Sequence, residues 1–280
     1  MIAARLALGA SVLVAASGVG LRAYGGALAC PDALCLAVAP SSLEGVAALS
    51  HRVLALTAGA AGLVALVRAA RAQPLLAASG AVVLGLSASA GIWAHSALLA
   101  PVTTGAHLGL SVAWAGILAL LAWPSLAPSH ARGAAVAAIG LVAASSSTVG
   151  AGAYIACGAW PLCAADAPAI GWAALGARAA WVSLAVALGV GAFRWPHGPG
   201  RDAAHLLLRL VGLVIGADLA VVLAGSVPEL AVAQVVVLHL LVASIAWSLA
   251  ETWPAEVMVR RAAPTPSPSP AVRGAGAPTS

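Results

Sequence analysis

Residues 44–67 read EGVAALSHRVLALTAGAAGLVALV, and this stretch decides what solvent the chain lives in. After Glu44, its only ionisable residues are His51 and Arg52, set among Ala, Gly, Val, Leu, Ser and Thr. A hydrocarbon core about 30 Å thick takes roughly 20 apolar residues per helix, so the stretch is long enough to cross it. The same ruler, moved outward, gives spans near 3–22, 44–67, 77–99, 103–123, 134–156, 170–192, 204–224 and 230–250. Composition agrees: 62% of the 280 residues are hydrophobic and 8% are charged, and mean hydropathy is +1.03. Soluble domains carry roughly 25% charged residues, so most of this surface must face lipid. The expectation is an all-α integral membrane protein of eight transmembrane helices.

Arginine placement predicts the orientation. All thirteen basic residues are arginine. Arg5, Arg68, Arg71, Arg132, Arg194, Arg201, Arg209, Arg260 and Arg261 fall at one set of span ends. The opposite loops hold Asp32, Glu44, Asp166 and Glu229, with Arg22 the one basic residue nearby. Positive loops stay inside, which puts both termini in the cytoplasm of a bacterial inner membrane. Arginines scattered singly in this way read as topology signals, not as a nucleic-acid surface. Arg5 before an apolar run also fits a signal peptide. The run is longer than a usual signal core and no clear cleavage site follows, so it is read as a retained helix. Residues 262–280, rich in Pro, Ser and Ala, are expected to form a disordered cytoplasmic tail.

The chain repeats itself. GVGLRAYGGALACPDALC (18–35) closes the first span and TVGAGAYIACGAWPLC (148–163) the fifth. Arg52 and Arg178 follow in the next span of each half, and His107-Leu108 and His239-Leu240 in the fourth. The offsets are 128 from Cys35 to Cys163, 126 from Arg52 to Arg178 and 132 from His107 to His239. Such a period predicts two tandem four-helix bundles, residues 1–125 and 133–252. Each half has an even number of helices, so the repeat is parallel, with a pseudo-twofold axis along the membrane normal.

Four cysteines lie in two outward loops. Four residues separate Cys30 from Cys35, and five separate Cys157 from Cys163. An oxidising exterior favours two local disulfides, whose short loops would clamp the surface rather than hold up the fold. A redox or handover site is the other reading, and both stay open here. Zinc would ask for tighter spacing or nearby histidines.

His51, His107 and His239 lie inside hydrophobic spans, toward the outer ends. One such histidine is often bonded to a neighbouring carbonyl. Three are different, because ionisable groups in a bilayer are costly and tend to be functional. His51 and His107 come from the second and fourth spans of one half and could face each other across its centre. Two facing imidazoles make an axial pair for a non-covalent haem iron. Arg52 and Arg178 could reach haem propionates by charge-assisted hydrogen bonds, or snorkel to headgroups. Glu44 shares a helical face with His51, about 10 Å away along the axis. It reads either as a proton relay and substrate-orienting group or as an interfacial carboxylate beside the helix N-cap, near Ser41 and Ser42. His95 and Asp218 are further polar candidates; His130, His197 and His205 read as interfacial.

LRAYGGALACPDALC, SHRVLAL and AHLGL, followed by CGAWPLC and LHLLVAS, together resemble heme A synthase over nearly all of residues 1–250. The resemblance implies eight helices in two bundles, each with a histidine pair around haem. It implies oxidation of the C8 methyl of heme O to the formyl of heme A, for cytochrome oxidase assembly. The N-terminal half would hold the substrate haem and the C-terminal half a haem b cofactor. Heme O synthase, oxidase assembly factors and a second copy of the chain are the partners it suggests. On this resemblance His51 and His107 match the first pair, and His239 the fourth-helix ligand of the second. The loop cysteines match those linked to activity or handover.

Two positions depart from the family pattern. The sixth-helix histidine falls at Ala177, and the second-helix glutamate falls at Ala48, one turn inside Glu44. These losses make a non-catalytic haem-binding or haem-delivery protein the alternative. A transporter that merely shares the helix count is disfavoured, because the polar residues gather near the outer leaflet rather than the midplane.

Overall fold

Proline and serine mark where the helices begin. In the computed structural model α1 spans Ile2–Ala23, α2 Leu43–Ala69, α3 Pro74–Ser96 and α4 Pro101–Ala122. Three more follow: α5 Ser129–Gly150, α6 Pro199–Ala224 and α7 Pro228–Thr252. Four of these seven open on proline, whose missing N–H is no loss in the first turn and whose fixed φ suits a helix. At α2 the cap is Ser42, in an extended conformation, whose Oγ accepts from the Gly45 N–H at 3.0 Å. Glu44 in that first turn and Arg68 in the last both complement the helix dipole. The structure describes residues 2–23, 42–96, 101–125, 129–150, 199–224 and 228–252, with Ala179 and Ser183. All four cysteines, Arg178, Ala177, the rest of the expected 170–192 span and the 262–280 tail lie outside them.

No strand occurs among the described residues. Among the described residues five helices are long and apolar enough to cross a membrane: α1, α2, α3, α4 and α7. Within α5 and α6 lie the apolar stretches Arg132–Ser147 and Ala204–Gly216. The chain is therefore an all-α protein with the character of a multi-pass membrane protein. Hydroxyls survive in these helices by bonding back to their own backbone: Ser50 to Val46, Thr57 to Val53 and Ser146 to Val142.

Close approaches give the directions. Across α1 and α2, Gly18 meets His51; across α3 and α4, Gly80 meets Ile117 and Gly91 meets His107; both pairs are antiparallel. Gly109 faces Ala143 and Ser147, and Gly116 faces Ile139, so α4 and α5 are antiparallel too. By contrast α4 and α7 run the same way: Gly116 meets Val242, and Ser125 Oγ donates to the Leu249 carbonyl at 2.9 Å. At the same end Arg5 stacks on Trp123, 5.4 Å from its ring centroid. The start of α1 and the ends of α4 and α7 therefore share one side of the bundle.

The core runs along α4 and α7. Leu118, Val112, Leu238, Leu241 and Val242 are fully buried there, joined by Val142 of α5 and Val211 and Val214 of α6. In lipid such packing holds through van der Waals contact, and small residues let backbones approach. Gly62 of α2 shows this, since a methyl there would collide with the Trp114 ring. The outer helices α2 and α3 instead present Val53, Leu56, Leu63, Val67, Val82, Leu86 and Ile92 outward, where a soluble protein would place charge.

Candidate functional site

Each intramembrane histidine has one ring nitrogen tied down. His107, on α4, donates from Nδ1 to the Ser87 carbonyl of α3 at 2.9 Å. His239, on α7, donates from Nδ1 to the Val235 carbonyl one turn back at 2.8 Å. A carbonyl can only accept, so in both rings the proton sits on Nδ1 and Nε2 keeps its lone pair. His51, on α2, has Nδ1 2.8 Å from Ser17 Oγ of α1. The Ser17 hydroxyl hydrogen goes to the Val14 carbonyl at 3.0 Å, so toward His51 the oxygen accepts. The networks around His107 and His239 thus put the ring proton on Nδ1, while the His51 ring meets both Ser17 Oγ and the Val14 carbonyl.

Glycine seats two of the rings. A Cβ at Gly18 would stand 2.9 Å from His51 Cε1, and a Cβ at Gly91 would stand 2.9 Å from His107 Cε1. Either methyl would push its imidazole away, so these positions leave room for the ring and nothing else. His51 lies within electrostatic reach of His107 and of Arg52, so the first and second halves of the expected pair occupy one neighbourhood. Trp114, two turns below His107 and lodged against Gly62, forms a floor beneath it.

His107 is bolted in twice. Ser111 Oγ donates to the His107 carbonyl at 2.8 Å, so toward Ser87 Oγ, 3.2 Å away, it accepts. Ser87 therefore takes the ring proton on its carbonyl and returns its own hydroxyl through Ser111 to the His107 backbone.

The other expected residues fall as follows. Arg52 donates from a terminal guanidinium nitrogen to His95 Nδ1 at 3.4 Å, which joins α2 to α3 at the end of the bundle where His51 lies. Glu44 is exposed in the first turn of α2, where it complements the helix dipole. One turn further in, Ala48 is buried against Leu21 and Leu49. His239 is wholly buried, and its Nε2 has no hydrogen-bond partner. Arg178 and the two cysteine pairs lie outside the described residues, as does Ala177, facing neither test.

The sequence reading missed the residues that hold the rings: Ser17, Gly18, Ser87, Gly91 and Ser111. It did note His95, without its link to Arg52. In spans rich in small residues a serine or glycine carries no mark. A hint was available in the spacing, because Ser17-Gly18 is an adjacent pair and Ser87 and Gly91 stand one helical turn apart.

Among the described residues no three His, Cys, Asp or Glu side chains gather into a metal cage. The histidines are instead a pair and a single, each with Nδ1 hydrogen-bonded, and with His239 Nε2 unpartnered. That is the arrangement a metal-bound imidazole requires, its second nitrogen fixed by a carbonyl or hydroxyl. His51, His107 and His239 are the side chains here that could each offer a ring nitrogen to a metal. Comparison of the chain with models of known families, with curated proteins and with solved structures finds no match in any of the three.

Proposed function

We propose that this chain is a heme A synthase-like protein of the bacterial inner membrane, oxidising the C8 methyl of heme O to a formyl group for cytochrome oxidase assembly. The observation that carries the reading is the placing of His51 and His107. Two membrane-embedded imidazoles, each hydrogen-bonded through Nδ1 to a neighbouring helix, stand in one half of the bundle. Heme O is the substrate of that half. His51 and His107 would hold its iron, Arg52 a propionate, and Trp114 the apolar floor that keeps water from the ring. Bound there, the iron supplies oxygen-activating chemistry. The residues themselves orient the porphyrin and exclude solvent. A haem b in the second half would take His239 as one ligand.

The eight-helix, two-bundle arrangement is part of the same proposal, and the contacts support it. The antiparallel packing of α4 on α5 has its counterpart in α1 on α7, where Gly20 meets Val232. The contacts of α3 with α4 mirror those of α6 with α7, and the parallel α4–α7 contact lies at the centre, where a twofold axis would pass. The arginine pattern makes the shared side of Arg5 and Trp123 the cytoplasmic one.

A second reading, haem carriage without oxidation, is favoured by one observation. Buried Ala48 stands where the family's second-helix carboxylate would be, and Glu44, a turn further out, is exposed. Purification after co-expression with a heme O source separates the two. Heme A in the porphyrin extract supports the enzyme; haem b or heme O alone supports carriage; no haem at all sinks both.

A further inference from the structure

Helix α2 packs closely on α1 and only lightly on α3. Near the turn that joins them, α2 and α3 are tight, since a methyl on Gly80 would collide with Leu66. Two turns further along α2, a Cβ on Gly59 would meet Leu84 only at 4.0 Å. At the far end Arg52 and His95 are linked by a hydrogen bond of 3.4 Å. Leu56 and Ala88 stand between these last two contacts. Leu56 is three residues before Gly59 and four after Arg52; Ala88 is four after Leu84 and seven before His95. Each therefore shares a helical stripe with the residues that touch the other helix. In a closely packed pair both would be buried. Instead Leu56 is 65% exposed, and Ala88 is exposed too.

The described residues thus leave a wedge between α2 and α3, open to the side and walled by Leu56 and Gly59 on one helix and Leu84 and Ala88 on the other. It adjoins the histidine pair. His51 precedes Arg52, and His107 bonds to the carbonyl of Ser87, next to Ala88, with its ring seated on Gly91 three residues beyond. The wedge walls carry no polar side chain, so hydrocarbon is what they fit. Its Arg52 end carries a cation. An amphiphile with a carboxylate at one edge and a long hydrocarbon chain at the other matches both. We propose that the α2–α3 wedge is a subsite for the isoprenoid chain of the substrate porphyrin, which reaches the histidines sideways from the bilayer with a carboxylate toward Arg52. The porphyrin half of this statement rests on the function proposed above; the hydrocarbon half stands on the wedge. From Arg52 to Gly59 the helix rises about 10 Å, which sets the length of chain the wedge holds. Heme O carries an isoprenoid chain and haem b does not, so the wedge distinguishes them.

The test titrates the full chain in detergent with heme O and with haem b, followed by the haem absorbance band. Wild type should bind heme O at least about ten-fold tighter, the gain from burying a couple of methylene groups. Ala88→Trp and Leu56→Trp, which fill the wedge from either wall, should each lower heme O affinity to the level of haem b. Haem b affinity in the same variants checks that the histidine site still forms. Val82→Trp, on the face of α3 turned away from α2, should keep the wild-type preference. Equal affinity of wild type for the two haems overturns the proposal, as does a preference that survives both wedge variants or is lost in Val82→Trp. If neither haem binds, the function proposed above falls, and a photoreactive farnesol on the haem-free protein decides the wedge. Labelling concentrated at Leu56 and Ala88 and chased by farnesol but not by oleate supports an isoprenoid subsite. Labelling chased equally by oleate, or spread evenly onto Val82 and Leu86, is ordinary lipid contact and overturns it.

Discussion

At the scale of single residues, the two histidines were visible in the sequence and their seats were not. An imidazole inside an apolar span is conspicuous because burial there is costly. Gly18 and Gly91 belong to a chain with 30 glycines, and nothing local sets them apart from Gly9 or Gly85, which face open space. What distinguishes them is a partner 33 or 16 positions away, a relation that only folding creates. Gly18→Ala and Gly91→Ala should each lower haem retention by about 10- to 100-fold, the usual effect of disturbing a ligand's support. Gly9→Ala and Gly85→Ala should retain it, as the haem-to-protein absorbance ratio of purified samples will show. Truncating the ligands is the harsher experiment: His51→Ala and His107→Ala should each deplete the first-half haem. A variant of either residue with undiminished haem would remove it from the site.

Among elements, helix positions were read from hydropathy to within a few residues. The expected 44–67 and 103–123 became Leu43–Ala69 and Pro101–Ala122. The largest shift is at the fifth, expected at 134–156 and found at Ser129–Gly150, because the helix extends through the polar start Ser129-His130. Hydropathy cannot see that start, whereas an N-terminal turn tolerates polar residues freely. The N-terminus of α2 gives a prediction of its own. Ser42→Ala removes the cap on Gly45 N and should cost about 1 kcal/mol, seen as a lower unfolding temperature in detergent with haem content intact. Glu44→Gln, losing a favourable dipole contact on an exposed residue, should cost less than that cap. If it abolishes heme A formation while leaving haem bound, Glu44 takes part in the chemistry.

For the whole molecule, the repeated order of Arg and His-Leu leads to the expectation of tandem halves. Their mutual placement does not follow from it, since sequence offsets say nothing about which faces meet. The structure puts α4 and α7 side by side, with Gly116 between Ile139 and Val242 at the junction of both halves. Gly116→Val should overpack that junction, costing about 1–3 kcal/mol and weakening haem retention in both halves together. Topology is open to a direct check. Fluorescent reporters fused after residue 125 or after residue 252 should both light up in the cytoplasm, and one fused after residue 150 should stay dark. A dark reporter after 252 would contradict the shared side of the α4 and α7 ends.

The central place of α7 also bears on biogenesis. Helices α1 and α4 bury faces against α7, a segment that the ribosome delivers long after both. Until it arrives, Leu118 and Val112 have no permanent neighbour on that side, and the first bundle must wait in the lipid as an open half. A chain truncated before Pro228 would strand both halves, not just the second. Quality control that samples the nascent membrane protein would therefore judge the product on the arrival of α7.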